Sequence, residues 1–294
     1  MKKFFSPRVM LITAMTVFGT LGPFVRHIGV TSGELALYRA VLAAVMLCGF
    51  FVVTKQKIQL KGLGRELVLL LLSGGAMGFN WILLFEAYKY TTVSVATLSY
   101  YFAPVIVTAL CPVLFREKMD LKQWICFAMS TLGIVLITGI GDLGGSSTHL
   151  KGILFGLGAA GFYATVILLN KFIKGVAGIQ RTFLQFLAAI AVLTPYVLLT
   201  DGINLSVLDG AGWGNLLIVG LFHTGVTYCL YFSALKELPG QEAAILSYID
   251  PLVAVLISVF VLGESMTAAQ IVGGVLILGF TLWNEIGHKP ENLG

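Results

Sequence analysis

The feature that most constrains this chain is the recurrence of apolar runs of roughly 20 residues, each long enough to cross a hydrocarbon layer of about 30 Å as a helix. Ten such runs fall near 8–28, 33–53, 66–88, 93–115, 121–140, 152–173, 180–200, 213–234, 241–262 and 268–286. They are continuous rather than alternating, which argues for helices over barrel strands, because a helix satisfies its own backbone polar groups in lipid. A water-soluble fold has no place for so much apolar surface. Of the 294 residues, 57% are apolar and only 11% charged, against about a quarter charged in an ordinary soluble domain.

Charge fixes an orientation. The formal net charge of +5 does not point to nucleic acid, because the basic residues sit in short loops rather than on one face. With the N-terminus inside, 15 Lys and Arg fall on the cytoplasmic side and only four, Arg26, Arg39, Lys89 and Lys151, on the other. Both termini are therefore expected in the cytoplasm of a multi-pass protein of the inner or plasma membrane. Met1-Lys2-Lys3 before an apolar stretch imitates a secretory signal, but further spans follow and an uncleaved first helix is the better reading. Cys48, Cys111, Cys126 and Cys229 form no CxxC pair or Cys/His cluster, so no disulfide framework, metal site or cofactor is expected.

Local signals mark several helix starts. Thr31 with Glu34, Asp120 with Gln123, and Thr267 with Gln270 have the spacing of reciprocal N-terminal caps, and Pro239-Gly240 breaks the chain before the ninth run. The glycine- and serine-rich stretch from Gly141 to Ser147 lies near the midpoint, which divides the chain into a first unit at 1–141, a linker at 142–150 and a second unit at 151–294. A shift of 147 residues aligns Phe85 with Phe232, Ala87 with Ala234, Pro104 with Pro251, Glu117 with Glu264 and Gln123 with Gln270. The expected fold class is thus an all-α integral membrane protein of ten transmembrane helices, built as two five-helix repeats. Five is odd, so the second copy enters the membrane from the opposite side. Inverted repeats of this kind place a binding site near the midplane of their interface.

Ionisable groups at membrane depth cost about 2.5–3.5 kcal/mol on insertion scales and point to function by default. Asp250 and His223 lie near the middles of their runs, and Asp250 precedes Pro251, a combination suited to a solute or proton site at a kink. The competing reading is a buried pair satisfied by neighbouring hydroxyls such as Tyr228, Tyr248 or Ser247. Arg39 and Glu86 lie at similar depth in the outer halves of their helices, and an ion pair between them would serve as a gate or as plain structure. Glu117 and Glu264 at helix ends read as interface structure. Asn80, Trp81, Tyr100, Tyr101, Tyr163, Thr165 and Tyr228 supply mid-helix polar and aromatic groups for a mostly apolar pocket, although aromatics more often serve packing.

Two soluble-enzyme signatures are discounted. Gly156-Leu157-Gly158-Ala159-Ala160-Gly161 imitates a dinucleotide fingerprint, but no strand precedes it, and small residues inside an apolar helix serve close helix approach. Gly139-Ile140-Gly141-Asp142 imitates an intramembrane aspartyl protease motif without a suitably ordered second aspartate.

The twice-repeated pattern of a proline-bearing helix, a terminal glutamate, a short turn and a Gln-to-Gly helix carries a family resemblance. It runs from Pro104 through Glu117 and Gln123 to Gly133, and again from Pro251 through Glu264 and Gln270 to Gly279. In this the chain resembles the EamA family of the drug/metabolite transporter superfamily. Arg39 stands where that family often has an arginine, and the corresponding place in the second half falls at Gln185 or a neighbour. The resemblance implies a ten-helix fold and export or uptake of small metabolites, frequently amino acids, across the cytoplasmic membrane. Together with the inverted repeats, the expected function is a secondary transporter that moves small amphipathic metabolites by alternating access, amino acids foremost and by export. Expected partners are the solute, a proton and the lipid bilayer, with the protein a monomer or homodimer. Expected substrate or coupling residues are Asp250, His223, Asn80, Trp81, Tyr101, Tyr163, Tyr228 and Tyr248. The rival classes are a membrane-embedded enzyme and a non-transporting receptor.

Overall fold

The computed structural model describes residues 6–56, 58, 64–115, 119–138, 147–176, 178–200, 202–235, 237–238 and 240–286. Glu117, Pro239, the Gly139–Asp142 motif and the linker up to Ser146 lie outside the described residues. Among the described residues there is no strand, and ten helical spans follow one another. Eight are long and apolar enough to cross a membrane, and the other two are shorter apolar helices.

The first span is α1 (Pro7–Gly19) and α2 (Leu21–Arg26), the second α3 (Ser32–Thr54), the third α4 (Gly64–Tyr90). The fourth is split into α5 (Val93–Tyr100) and α6 (Ala103–Phe115), and α7 (Leu121–Thr138) is the fifth. The second half runs through α8 (Ser147–Asn170) and α9 (Gly178–Thr200) to an eighth span in which α10 (Gly210–Leu217) passes through a π-helical stretch, Ile218–Val226, into α11 (Thr227–Leu235). The ninth is split into α12 (Gly240–Ser247) and α13 (Ile249–Phe260), and α14 (Ala268–Glu285) is the tenth. Residues 147–150, expected in the linker, form the first turn of α8.

The expected caps form. Thr31 Oγ1 accepts from the Glu34 amide at 3.2 Å while Glu34 returns a carboxylate oxygen to the Thr31 amide at 3.1 Å. Thr267 and Gln270 do the same at 3.2 and 3.0 Å, and Asp120 with Gln123 at 2.7 and 2.9 Å. These bonds satisfy amide donors that each helix start would otherwise leave unpaired at the membrane edge.

Three spans are discontinuous, and each break has the same cause. The helices part at Thr20, at Tyr101-Phe102 and at Tyr248. Pro23, Pro104 and Pro251 then fall within the first three residues of α2, α6 and α13. There the amide that proline lacks has no partner within the helix in any case. Pro251 therefore starts a new helix rather than kinking the interior of a continuous one.

The most extensive helix pairings join one half to the other: α4 with α8 and α9, α3 with α9 and the π-helical stretch, α1 with α11 and α13, and α7 with α14. The α7–α14 pair is antiparallel. Lys122, in the first turn of α7, donates to the Asn284 carbonyl at the end of α14 at 3.3 Å. Farther along, Gly133 and Gly273 face each other so closely that a β-carbon on Gly133 would lie 2.7 Å from the Gly273 oxygen, and one on Gly273 would lie 2.5 Å from the Gly133 oxygen. The Gly156 segment has the expected packing role, for a β-carbon there would sit 2.8 Å from Ser99 of α5.

Candidate functional site

The three breaks surround one cavity of about 430 Å³ in the seam between the halves. That volume lies in the ~300–1,000 Å³ range of small-molecule sites. Residues 147 apart line it in pairs: Trp81 with Tyr228, Leu84 with Tyr231, Tyr100 with Ser247, Tyr101 with Tyr248, and Val107 with Ala254. Each half thus presents the same helix faces to the same space. The wall is mostly aromatic, with Tyr100 and Tyr163 stacked at 5.2 Å between ring centroids.

Two charges of opposite sign, one buried and one half-buried, break this pairing. Asp250 lies in the first turn of α13, where the exposed amide ends of the helix favour a carboxylate, and Tyr101 across the cavity donates its hydroxyl to Oδ2 at 2.6 Å. Arg39, on α3, is only 4% exposed. Its Nε donates to Thr224 Oγ1 at 2.6 Å, and its guanidinium lies over the Trp81 ring at 4.6 Å and the Phe85 ring at 5.7 Å. Thr224 is held in turn, its hydroxyl donating to the Val219 carbonyl five residues back at 2.8 Å. That bond belongs to the wider π turn, in which the carbonyl five residues earlier comes into reach.

Of the expected site residues, Asp250, Trp81, Tyr101, Tyr163, Tyr228, Tyr248 and Arg39 line the cavity. His223 and Asn80 do not. Asn80 donates its side-chain amide to the Ala159 carbonyl at 2.6 Å, binding α4 to α8. His223 packs behind the cavity wall against Phe24, with Nε2 3.0 Å from Thr20 Oγ1 at the break in the first span. The expected Arg39–Glu86 pair is not formed. Glu86 pairs with Lys89 one turn on at 2.9 Å, pointing away from Arg39. Nor do Tyr228, Tyr248 or Ser247 satisfy Asp250, whose hydroxyl partner is Tyr101.

Beyond one end of the cavity lies a polar cluster that sequence reasoning did not assemble. Glu264 forms an ion pair with Arg26 at the end of α2, accepts from the Val93 amide at the start of α5 at 2.8 Å, and accepts from Ser258 of α13. Arg26 also donates to the Thr91 carbonyl at 2.8 Å. Three helix ends from both halves are thereby tied together. Toward the other end, the cavity wall extends to Glu285, the last residue of α14.

The sequence pattern of the EamA-like transporter family matches this chain twice, over residues 7–139 and 150–284. Among curated proteins, the chain is 30% identical to the uncharacterized transporter YxxF of Bacillus subtilis (strain 168), covering 92% of this chain and 86% of that one. It is 29% identical to an uncharacterized transporter of Archaeoglobus fulgidus, covering 94% and 95%. A solved crystal structure superposes with a TM-score of 0.65 at 18% identity over 94% of this chain and 95% of that one, which shows a shared fold. Matched in both halves, with ten apolar helices in a two-repeat layout, the chain is a multi-pass membrane protein that belongs to the EamA-like transporter family.

Proposed function

We propose that the protein is a secondary transporter that carries small amphipathic solutes, amino acids foremost, by exposing the seam cavity alternately to the two sides of the cytoplasmic membrane. The observation that carries this reading is the cavity itself. It lies between two repeats, is walled by matched faces of both, and holds one buried cation and one half-buried carboxylate. A rocking motion of one repeat against the other would open either end without unfolding a helix. The antiparallel α7–α14 crossing supports inverted repeats, since the fifth helix of each unit would then cross the membrane in opposite directions. The bias of basic residues supports cytoplasmic termini. In that orientation the Glu285 end of the cavity is cytoplasmic and the Arg26–Glu264 cluster seals the outer end. Loading from inside suits export.

Coupling to a proton is assigned to Asp250, which alone among the cavity carboxylates lies at mid-membrane depth. His223 is placed one step away, acting on the Thr20 break rather than on solute. The reading is tested by counterflow in proteoliposomes with radiolabelled amino acids, with and without an imposed pH gradient. Amino-acid counterflow that responds to the gradient supports it. Absence of flux for amino acids, sugars, nucleosides and organic cations alike overturns it.

A further inference from the structure

Arg39 is the buried cation of the cavity wall. It is 96% buried by its 4% exposure, and among the described residues no carboxylate lies within 4.0 Å of it. Its only hydrogen bond to the described residues uses Nε, which leaves both Nη groups, the fork that grips a planar oxyanion in two parallel bonds, without an acceptor among them. A cation this deep and this incompletely satisfied is costly, and the cost is relieved when a ligand supplies the missing anion. Thr97, 4% exposed, belongs to the same wall, its hydroxyl beside that of Tyr88.

We infer that Arg39 forms a subsite for the carboxylate of a zwitterionic solute, and that Thr224 is the positioning residue that aims the guanidinium. This deepens the transport reading and rests on it. The solute's ammonium is taken up by Asp250 and the surrounding tyrosine faces, which attract cations. One wall charge of each sign selects a solute carrying both, because an ion of either sign alone leaves the opposite wall charge uncompensated. The π-helical turn is integral to the aim. By placing Thr224 Oγ1 on the Val219 carbonyl, it fixes the hydroxyl so that its lone pairs face Arg39 Nε. With Nε held there and the ring of Trp81 under the guanidinium plane, the fork has one open edge, which meets the cavity.

The test uses the purified full-length protein and matched trios of probes: leucine, its decarboxylated amine and its deaminated acid, with the same trios for phenylalanine and threonine. Binding is read by thermal stabilisation and by competition in counterflow. The expected result is that an amino acid binds, its amine binds at least tenfold more weakly, and Thr224→Val weakens the amino acid by about tenfold. Thr224→Val leaves the amine's affinity unchanged, and Thr224→Ser restores the amino acid. Arg39→Gln abolishes the preference for the acid-bearing member, with Arg39→Lys as the variant that keeps a buried charge should the neutral one fail to fold. Amines that bind as tightly as their amino acids overturn the subsite, as does a Thr224→Val protein that weakens both equally. Transport of some other solute class with no acid-bearing probe bound also overturns it while leaving the transport reading standing. Absence of flux for every solute removes the transport reading itself.

Discussion

The two halves of the molecule keep the same frame and divide the charge. α3 and α9 begin 146 residues apart, which sets Arg39 opposite Gln185, while the 147-residue shift sets Asp250 opposite Ala103. Arg39 holds a cation against the cavity. Gln185, equally buried, spends its amide on Ser73 and on Asn170 Oδ1 at 2.8 Å, and it faces the contact of α9 with α4 and α8. At matched positions, then, one half presents a charge to the cavity and the other has a packed or neutral residue. Duplication supplies the aromatic walls in pairs, whereas the polar recognition is single. On the transport reading proposed above, a solute in the seam would meet a symmetric shape and an asymmetric field, and so would have one preferred orientation.

Removing the anion breaks this asymmetry most severely. Asp250→Asn keeps an acceptor for Tyr101 and preserves the first turn of α13, so the protein should fold and reach the membrane. Flux in proteoliposomes is expected to fall about a hundredfold, the scale of losing a buried charge contact, and its response to an imposed pH gradient to vanish. Normal flux would show that the second half contributes shape alone.

The next effect concerns the two ends of the seam. Glu264 joins three helix ends, and Glu264→Gln removes the charge facing Arg26 while keeping an acceptor for the Val93 amide. The Glu264 side chain is 10% exposed and that of Arg26 29%, so the loss is expected at about 1–3 kcal/mol, between the values for surface and buried pairs. In a Leu84→Cys background, an impermeant thiol reagent added outside should label the cavity in the Glu264→Gln protein and leave it unlabelled when Glu264 is present. Equal labelling in both would mean that this cluster does not close the outer end.

Tyr101 sharpens the comparison further, since its repeat partner Tyr248 lines the same cavity without touching the carboxylate. Tyr101→Phe deletes the 2.6 Å bond to Asp250 and should reduce flux about tenfold. Tyr248→Phe should reduce it far less. Identical effects would show that the phenols act as a wall and that the bond to Asp250 is incidental.

These contrasts also explain what the sequence could and could not disclose. Apolar run length, capping spacing and the 147-residue repeat are local or periodic, and each survives into the helices with small shifts of boundary. Depth is legible too: Asp250 and His223 stand out because charge in the middle of an apolar run is costly wherever it points, and Arg39 because it is charged within the outer half of one. Direction around the helix is not legible without knowing which face meets which neighbour. Asn80 and Trp81 are adjacent, about 100° apart around α4, so one binds α8 and the other lines the cavity. His223 was misjudged for a related reason. The π-helical stretch changes the angular step, so a residue at the right depth ends on the α1 side of the wall. Thr224 carries no visible signal, because threonine in an apolar helix usually bonds its own backbone and this one is indistinguishable from such residues.

The smallest expected effect falls on Glu86, and it tests the same point about direction. Glu86 lies five residues after Trp81, about 140° around α4. From there it pairs with Lys89, on side chains 23% and 48% exposed, and cannot face Arg39. An exposed pair of this kind contributes under about 1 kcal/mol. Glu86→Gln should therefore leave both thermal stability and flux nearly unchanged, in contrast to Arg39→Gln at the same depth. If Glu86→Gln instead altered transport as strongly as the arginine variant, the two residues would have to meet in another state of the protein. The unpaired guanidinium would then be half of a gate that this conformation holds apart, rather than a group waiting for a solute's acid.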